Sequence, residues 1–351
     1  MADSAGVKVL LVGTGAHPIP PMGYGAVERI LFEYAHALEG AGHSAHILNE
    51  VYAGSSIPEY RFALRLPSLV RREQYDVLHA STPVVANRLA GAGLPFVYTS
   101  HSRHWFWKQT WRHRWGAWLE RRAVRRAAGV VALTEAVAAA MRSTLPSGFA
   151  VPISVIPYGL EAAGWAPAWE QRTGRRALGV GVVLPLKRWE LAAAALKGTG
   201  VRLRIAGPVS DAVYAAQVRA AGDDVEFLGE VDQARLRQLY AESDLLLHPS
   251  VVEVLPRSVL EAMASSLPVI GSSVIGSMFP GGRGGFASPP GASPAELIHF
   301  LRTNAQRLVA DAALRRQVGE AGREVVVQNY SWDQIVAKHL ELYQQLAGPP
   351  R

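Results

Sequence analysis

The segment Leu245–Val269 carries two glutamates whose positions suit the binding of a sugar linked to a diphosphate. Its apolar run ends at His248, Glu253 lies in the short loop that follows, and Pro256 suits the first turn of a helix that contains Glu261. The start of a helix offers unpaired N–H groups and the positive end of its dipole to a diphosphate, while carboxylates accept hydrogen bonds from sugar or ribose hydroxyls. The spacing by itself is equally typical of a structural connection with two solvated glutamates.

The elements that would position these glutamates alternate between short β-branched runs and longer stretches with helical spacing. The predicted strands are Val7–Val12, Ala45–Leu48, Asp76–His79, Phe96–Thr99, Gly129–Leu133 and Ile153–Ile156 in a first series, and Val180–Leu184, Arg202–Ala206, Val225–Leu228, Asp244–His248 and Pro268–Gly271 in a second. This rhythm predicts an α/β protein with two Rossmann-like, doubly wound parallel sheets, which would face each other across a cleft. Ligands bind at the carboxyl ends of such strands. His101, at the end of one run, is therefore a candidate site residue, although a lone histidine there is as often structural.

A Pro- and Gly-rich stretch, Pro157–Trp169, divides the chain where the periodicity lapses. We expect an N-terminal domain over residues 1–160, a C-terminal domain over 161–328, and a helix within 329–351 that crosses back to the N-terminal domain. The length of 351 residues fits two domains.

Composition excludes several classes of protein. With 49% hydrophobic and 19% charged residues, the chain is too apolar to be disordered as a whole. It has no cysteine, which excludes disulfides, thiol nucleophiles and cysteine-ligated metals. No run approaches about 18 apolar residues and no leader precedes the first strand, so we expect a cytoplasmic protein. Residues 1–160 hold 16 Lys and Arg against 10 Asp and Glu, so most of the net charge of +7 lies in the first half.

The order of motifs along the chain resembles that of the retaining, nucleotide-sugar-dependent glycosyltransferases of the GT-B fold, glycosyltransferase family 4. The signature is EVLPRSVLEAMA, residues 253–264, which begins at Glu253, contains Glu261 and is followed by Ser266–Ile270. Further similar segments, in the family's order, are Pro21–Glu28, Gly40–His43, Asp76–His79, Thr99–His101, Val155–Gly159, Ile205–Gly207, Phe227–Gly229 and Tyr330–Trp332. The resemblance covers nearly the whole chain.

This resemblance implies that a hexosyl unit moves from a nucleoside diphosphate sugar to an acceptor hydroxyl on a glycan, a lipid-linked molecule or a small molecule. It implies catalytic roles for His101, beside the reacting carbon, for Glu253, near the donor sugar, and for Lys187, which would neutralise the departing diphosphate. The implied donor-binding residues are Lys187, Arg188, Gly207, Glu253, Val254, Leu255, Arg257 and Glu261, with Glu261 on the ribose hydroxyls, and the implied glycine-rich loop contains Gly23 and Gly25.

Three positions depart from the family's pattern. Val182 follows Gly181 where relatives commonly have an arginine, so Arg188 or Arg257 would have to replace that cation. Ala26 and Val254 stand where glycine is common. These departures leave open a catalytically degenerate protein that binds a nucleotide sugar or a partner. A nucleotide-sugar epimerase is a third hypothesis.

Other chemistries lack a local motif. No Gly-x-Ser-x-Gly elbow, Walker loop or His-Glu-x-x-His pair occurs, which disfavours a hydrolase, an NTPase and a zinc protease. No Asp-x-Asp pair of the kind that holds a metal on a nucleotide sugar occurs either. We therefore expect neither a metal nor another cofactor.

Residues 103–126 form a basic, aromatic segment with five of the nine tryptophans, eight Lys and Arg, and Glu120 as the single acid. Tryptophans spaced by four and three residues share one face of a helix. This face can pack on the first sheet, lie on an anionic membrane surface, or bind an acceptor. The candidate acceptor or membrane contacts are Trp105, Trp107, Trp111, Arg112 and Trp115. Nucleic acid is the least favoured partner, because no known binding module accompanies the segment.

Overall fold

The computed structural model describes residues 6–21, 25–55, 57–106, 110–146 and 148–347. Their packing forms two compact units. Unit 1 comprises residues 1–159 and 332–351, and unit 2 comprises residues 160–331.

Unit 1 is built on a six-stranded parallel sheet in the order β2-β1-β3-β4-β5-β6. The strands are β1 (Lys8–Val12), β2 (Ser44–Leu48), β3 (Val77–Ala80), β4 (Val97–Ser100), β5 (Gly129–Ala132) and β6 (Ile153–Val155). Every residue of the central strands β3, β4 and β5 is buried, because helices cover both faces of the sheet. Those helices are α1 (Ala26–Gly40), α2 (Pro58–Leu69), α3 (Pro83–Gly91), α4 (Trp111–Val124), α5 (Glu135–Arg142) and α12 (Trp332–Ala347).

The C-terminal helix α12 packs against α1. Trp332 stacks on Tyr34 with ring centroids 5.8 Å apart, and the hydroxyls of Tyr34 and Tyr343 lie 2.9 Å apart. Both tyrosines are almost fully buried, so these aromatic contacts fix the helix on unit 1.

Unit 2 is built on a second six-stranded parallel sheet, in the order β12-β11-β10-β7-β8-β9. The strands are β7 (Arg176–Val180), β8 (Arg202–Ala206), β9 (Val225–Gly229), β10 (Leu245–His248), β11 (Val269–Gly271) and β12 (Gly285–Ala287). The helices are α6 (Trp189–Leu196), α7 (Ala212–Ala221), α8 (Gln233–Glu242), α9 (Arg257–Ala264), α10 (Pro294–Ala310) and α11 (Ala312–Asn329). Two parallel α/β sheets confirm the predicted fold class.

The predicted strand Val180–Leu184 is wrong by four residues. Strand β7 ends at Val180, because Gly181 turns the chain with a φ of 147° and Pro185 begins a short 3₁₀ turn. The apolar run that suggested the strand keeps one parallel bridge, between Val183 and Val209. Strand β12 was missed, since its three residues give no β-branched run.

Two loops of unit 2 approach each other closely at Gly207. This residue follows β8 with a φ of 152°, and a Cβ atom on it would lie 2.2 Å from the carbonyl oxygen of Gly181. The backbone there is fixed, because Gly181 N–H donates to Ala206 O at 2.9 Å and Gly207 N–H donates to Gly229 O at 2.7 Å. Gly207 therefore has a structural reason to be glycine.

We predict that Gly207→Ala lowers the free energy of unfolding by about 2 kcal/mol or more, since the backbone neighbour cannot move aside. The matched control is Gly200→Ala, where φ is 73° but nothing lies within 4 Å of the added methyl group. This control should cost about 1 kcal/mol. Urea unfolding followed by circular dichroism compares the two, and equal losses would contradict the close approach.

Candidate functional site

The carboxyl ends of β7 and β10, neighbours in the sheet of unit 2, bring together three polar side chains. Lys187 Nζ lies 2.6 Å from Glu253 Oε1, and His248 Nε2 lies 3.1 Å from the same oxygen. His248 is the last residue of β10 and is fully buried, whereas the side chains of Lys187 and Glu253 are 22% and 15% exposed. We call these three residues the lysine–glutamate–histidine cluster.

The cluster holds an ionised carboxylate beside a cation. Burial by itself raises the pKa of the Glu253 carboxyl, but the hydrogen bond from His248 and the charge of Lys187 hold that pKa well below its usual range. Burial also lowers the pKa of His248, against the opposing effect of Glu253. A neutral His248 ring donates from Nε2 to Glu253, which leaves its Nδ1 buried without a hydrogen-bond partner among the described residues.

The side chain of Trp189 supports the loop that carries Lys187. This side chain is fully buried, packs where Gly179 leaves room, and donates its indole N–H to Val182 O at 3.2 Å. The loop is also tied to the loop after β10, since Val251 N–H donates to the carbonyl of Leu186 at 2.9 Å. These contacts fix the backbone on which the lysine is mounted, and sequence spacing alone did not reveal Trp189 as its support.

Arg188, next along the chain, has left-handed backbone angles, with φ 52° and ψ 39°, and immediately precedes α6. Its side chain is half-buried. Of the other predicted donor residues, Val254 is half-buried and Leu255 is buried. Helix α9 begins at Arg257, one residue after the predicted Pro256.

Glu261 belongs to a second, separate set of contacts on α9. Arg257 Nε donates to Glu261 Oε1 at 2.8 Å, and the hydroxyl of Tyr240 donates to Glu261 Oε2 at 3.0 Å. Glu261 is 4% exposed, and both of its carboxylate oxygens accept hydrogen bonds in this mostly buried ion pair. The sequence predicted Glu261 and Arg257 as site residues but not their ion pair. Their spacing of four residues on one helix is the signal that could have revealed it.

In unit 1, His101 follows β4, as predicted, and lines a cavity of about 30 Å³ together with His79 and His339. Burial lowers the pKa of His101 to about 4 and that of His339 to about 4, so both rings are neutral at pH 7. His79 bridges Thr99 Oγ1 and Tyr343 Oη, each at 2.6 Å. The sequence predicted that a C-terminal helix returns to this domain, but it did not single out His339, because spacing does not show which residues of that helix line the cavity.

Gly25 precedes α1 with a φ of 149°. A Cβ atom there would lie 2.9 Å from Pro21 Cβ and 3.2 Å from Glu28 Oε2, so glycine is required at this turn. Glu28, buried in the first turn of α1, accepts a hydrogen bond from Thr14. Gly23 and Trp107 lie outside the described residues.

Of the three alternatives for the tryptophan face of the basic, aromatic segment, the structure contradicts packing on the sheet. Trp111, Trp115 and Trp118 are 73%, 51% and 41% exposed on α4, because small residues occupy the inner face of this helix. Trp105 is instead buried, and its indole N–H donates to Ser100 Oγ at 3.0 Å. The prediction that Trp105 contacts an acceptor or a membrane is therefore wrong.

A buried carboxylate ties α4 to the strand that precedes His101. Glu120 Oε2 accepts hydrogen bonds from Tyr98 Oη at 2.8 Å and Ser100 Oγ at 3.0 Å. Its other oxygen has no hydrogen-bond partner among the described residues. Burial raises the pKa of Glu120 to about 7, although these hydrogen bonds oppose the shift.

The described residues contain neither a metal-binding group of side chains nor a membrane-spanning helix. Within the described ranges, no three His, Asp or Glu side chains are placed to hold a metal ion together. The helices of that same part of the chain are all too short or too polar to cross a membrane.

Two glycosyltransferase family profiles match the chain, one in each half. The profile of "Glycosyltransferase Family 4" matches residues 25–163, and that of "Glycosyl transferases group 1" matches residues 180–305. Alpha-maltose-1-phosphate synthase of Mycolicibacterium smegmatis is 26% identical over 311 residues, which cover 79% of this chain and 80% of the relative. The MMP alpha-(1->4)-mannosyltransferase of Mycolicibacterium hassiacum is 23% identical over 321 residues, which cover 81% and 74%.

Solved structures share the fold. Sucrose-phosphate synthase from Thermosynechococcus elongatus superposes with a TM-score of 0.81 at 19% identity and covers 97% of this chain and 99% of its own. Anabaena HepE, solved in complex with UDP-glucose, gives a TM-score of 0.69 at 18% identity over 96% of this chain and 100% of its own. These neighbours, with the two parallel sheets, confirm the predicted GT-B fold.

We predict that Glu120→Gln removes a pH dependence of stability. The raised pKa means that the folded protein binds the proton more tightly than the unfolded chain, so Glu120 lowers the free energy of unfolding as pH rises from the ordinary value of 4.5 to about 7. The stability difference, wild type minus variant, should therefore fall by roughly 3 kcal/mol across that range and stay constant above it.

The measurement is urea unfolding at pH 4.5 to 8. The lowered pKa values of His101 and His339 act in the opposite direction below pH 6.5, but they cancel in the difference because both proteins carry them. Glu39→Gln, at an exposed glutamate, is the matched control. If the difference in free energy of unfolding between wild type and Glu120→Gln is constant across this pH range, burial does not raise the pKa of Glu120.

Proposed function

This chain belongs to the group 1 glycosyltransferases of the family 4, GT-B type, and on that premise we propose that it transfers a hexosyl unit from a nucleoside diphosphate sugar to an acceptor hydroxyl. The observation that carries the proposal is the lysine–glutamate–histidine cluster at the carboxyl ends of β7 and β10. Such strand ends are where parallel α/β sheets bind ligands. A diphosphate needs a fixed cation there, and a sugar needs hydrogen-bond acceptors.

Lys187 is the cation that we assign to the diphosphate. Its ammonium group is already oriented by Glu253 and is largely withdrawn from water, so it would stabilise charge without first having to be ordered. We assign Glu253, which is ionised, to the hydroxyls of the donor sugar. HepE, a fold neighbour, is solved with UDP-glucose, and this favours UDP as the first nucleotide to test.

Arg188 is our choice for the second diphosphate cation, in place of the family's usual arginine. The alternative, Arg257, is paired with Glu261 in a mostly buried contact. Withdrawing it would leave the Glu261 carboxylate without its cation, which costs several kcal/mol. Arg188 forms no ion pair with a buried acid among the described residues.

We propose that the transfer retains the anomeric configuration. In that step, the bond between the sugar carbon and the diphosphate breaks while the acceptor oxygen bonds to the same face, and the acceptor proton passes to the donor phosphate. Lys187 and Arg188 would stabilise the negative charge that develops on the leaving group. His101, neutral at pH 7, would hydrogen-bond a hydroxyl of the reacting sugars without adding charge.

The test is release of nucleoside diphosphate from UDP-, GDP-, ADP- and dTDP-hexoses, with and without acceptor alcohols. We predict that Lys187→Ala lowers kcat/KM for the active donor by about 10²-fold or more, since it removes a charge contact strengthened in the transition state. Lys197→Ala, at an exposed lysine after α6, is the matched control and should keep full activity.

Proton NMR of the product gives the anomeric configuration, and the proposal predicts that of the donor. An inverted product contradicts retention. Nucleotide binding without turnover by any donor would instead support the degenerate binding protein, and donor consumption with an altered sugar but no acceptor would support an epimerase.

A metal ion is not part of the proposed mechanism, because the lysine and arginine side chains supply the positive charge. We therefore predict that the rate changes by less than twofold after dialysis against EDTA. Loss of activity that Mg²⁺ or Mn²⁺ restores would contradict this part of the proposal.

A further inference from the structure

Helix α4 has an inverted distribution of side chains for a helix on the surface of a protein. Its inner face consists mainly of small residues, Gly116, Ala117 and Ala123, together with the buried Glu120. Three tryptophans instead lie on the outer face. Tryptophan is among the side chains that are most buried on average, so three on one exposed helix face require a reason.

The packing of the inner face fixes this orientation. A Cβ atom on Gly116 would lie 2.4 Å from His104 Nε2, so the helix sits closely on the turn that follows β4. Glu120 anchors the same face through Tyr98 and Ser100. The helix therefore cannot rotate to bury its tryptophans without breaking these contacts.

The outer face combines flat aromatic rings with positive charge. Trp115 and Trp118 stack with centroids 4.7 Å apart, while Arg112 lies over Trp111 and Arg122 lies over Trp118, each at 5.4 Å. The other arginines in and just after the helix are Arg114, Arg121, Arg125 and Arg126. In the described part of the chain, none of these six arginines forms an ion pair with an acid, and the helix's own acid, Glu120, faces inward.

We propose that this outer face of α4 binds the surface of an anionic lipid bilayer. Tryptophan favours the boundary between lipid headgroups and acyl chains, and arginine favours anionic headgroups, so the two residue types suit two layers of one partner. A protein partner would need acids opposite six arginines and a pocket for three tryptophans. An anionic bilayer offers negative charge to the arginines and an apolar layer to the tryptophans, so it needs no pocket of specific shape.

The proposed surface is connected to the end of β4. Glu120 and Trp105 both hydrogen-bond Ser100, the residue before His101. A bilayer on the outer face of α4 would therefore lie about one helix diameter, roughly 10 Å, from this strand end. Bilayer binding goes beyond the proposed transfer reaction and can be tested without any donor or acceptor.

The experiment is flotation of the full-length chain with phosphatidylcholine vesicles and with vesicles that contain 30% phosphatidylglycerol. We expect binding to the anionic vesicles, weakening as NaCl rises from 50 to 500 mM because surface charge is screened. Acyl-chain-brominated lipids should quench tryptophan fluorescence, since the exposed rings reach the boundary between headgroups and acyl chains.

Three variants isolate the surface. The triple variant Trp111→Ser, Trp115→Ser, Trp118→Ser should lower the partition coefficient at least tenfold and lose the brominated-lipid quenching. Arg122→Ser with Arg126→Ser should lower it by roughly 25-fold, at about fivefold per arginine. The matched control, Arg61→Ser with Arg71→Ser, removes the same charge from exposed positions of unit 1 and should change it by less than twofold.

Unchanged circular dichroism and melting temperature show that the variants remain folded, as exposed substitutions predict. The proposal is overturned if wild type does not float with anionic vesicles, or if the triple variant floats equally well. Equal losses in the two arginine pairs would assign any binding to net charge and not to α4. Self-association that the tryptophan variant abolishes, without lipid binding, would assign the face to a second copy of the chain.

Discussion

The candidate site depends on how a largely buried carboxylate is kept ionised. Glu253 is withdrawn from water, which disfavours its charge, and Lys187 and His248 compensate from two sides. This compensation is possible because β7 and β10 are neighbours in a parallel sheet, so that the loops at their carboxyl ends meet. Trp189 supports one loop, and the hydrogen bond from Val251 to Leu186 ties it to the other. The same crowding explains the glycine at position 181, because a Cβ atom there would lie 3.2 Å from the Lys187 side chain.

Sequence patterns predicted most of the sheet architecture and two residues of the cluster, Lys187 and Glu253, but neither the role of His248 nor the contacts among the three. Strand β8 matches its prediction end to end, because arginine and aliphatic residues alternate in its sequence RLRIA. Strand β7 does not, since an apolar run continues past Gly181 and only the backbone turn reveals where pairing ends. Lys187 and Glu253 were identified separately, whereas their 2.6 Å contact depends on strand order, which spacing does not encode.

Helix α4 shows that helical spacing does not predict which face of a helix is buried. Spacings of four and three residues correctly predict that Trp111, Trp115 and Trp118 share one face. They do not say which face points inward, and the expectation that large apolar residues do so is wrong here. Gly116 decides the orientation, because only a face of small residues fits against His104. Departures from the usual burial pattern of this kind are expected where a surface has a function.

Glu253 and Glu120 are both withdrawn from water, but their surroundings favour different charge states. Glu253 is paired with a cation and stays ionised, whereas Glu120 has neutral hydrogen-bond donors and its pKa rises to about 7. The first arrangement suits a group that meets a charged ligand, and the second suits a group that joins a helix to a sheet. The environment, not the residue type, therefore separates the proposed binding role from the structural one.

The most direct test of the central claim, that Lys187 is the cation for a nucleoside diphosphate, is thermal denaturation with UDP, GDP, ADP and dTDP in turn. Because a ligand that binds only the folded state stabilises it by mass action, one of these nucleotides at a hundred times its Kd should raise the Tm by roughly 5 °C. We predict that Lys187→Ala abolishes this rise and that Lys197→Ala keeps it. No rise with any nucleotide at millimolar concentration, or an equal rise in Lys187→Ala, would contradict the assignment of Lys187 to the diphosphate.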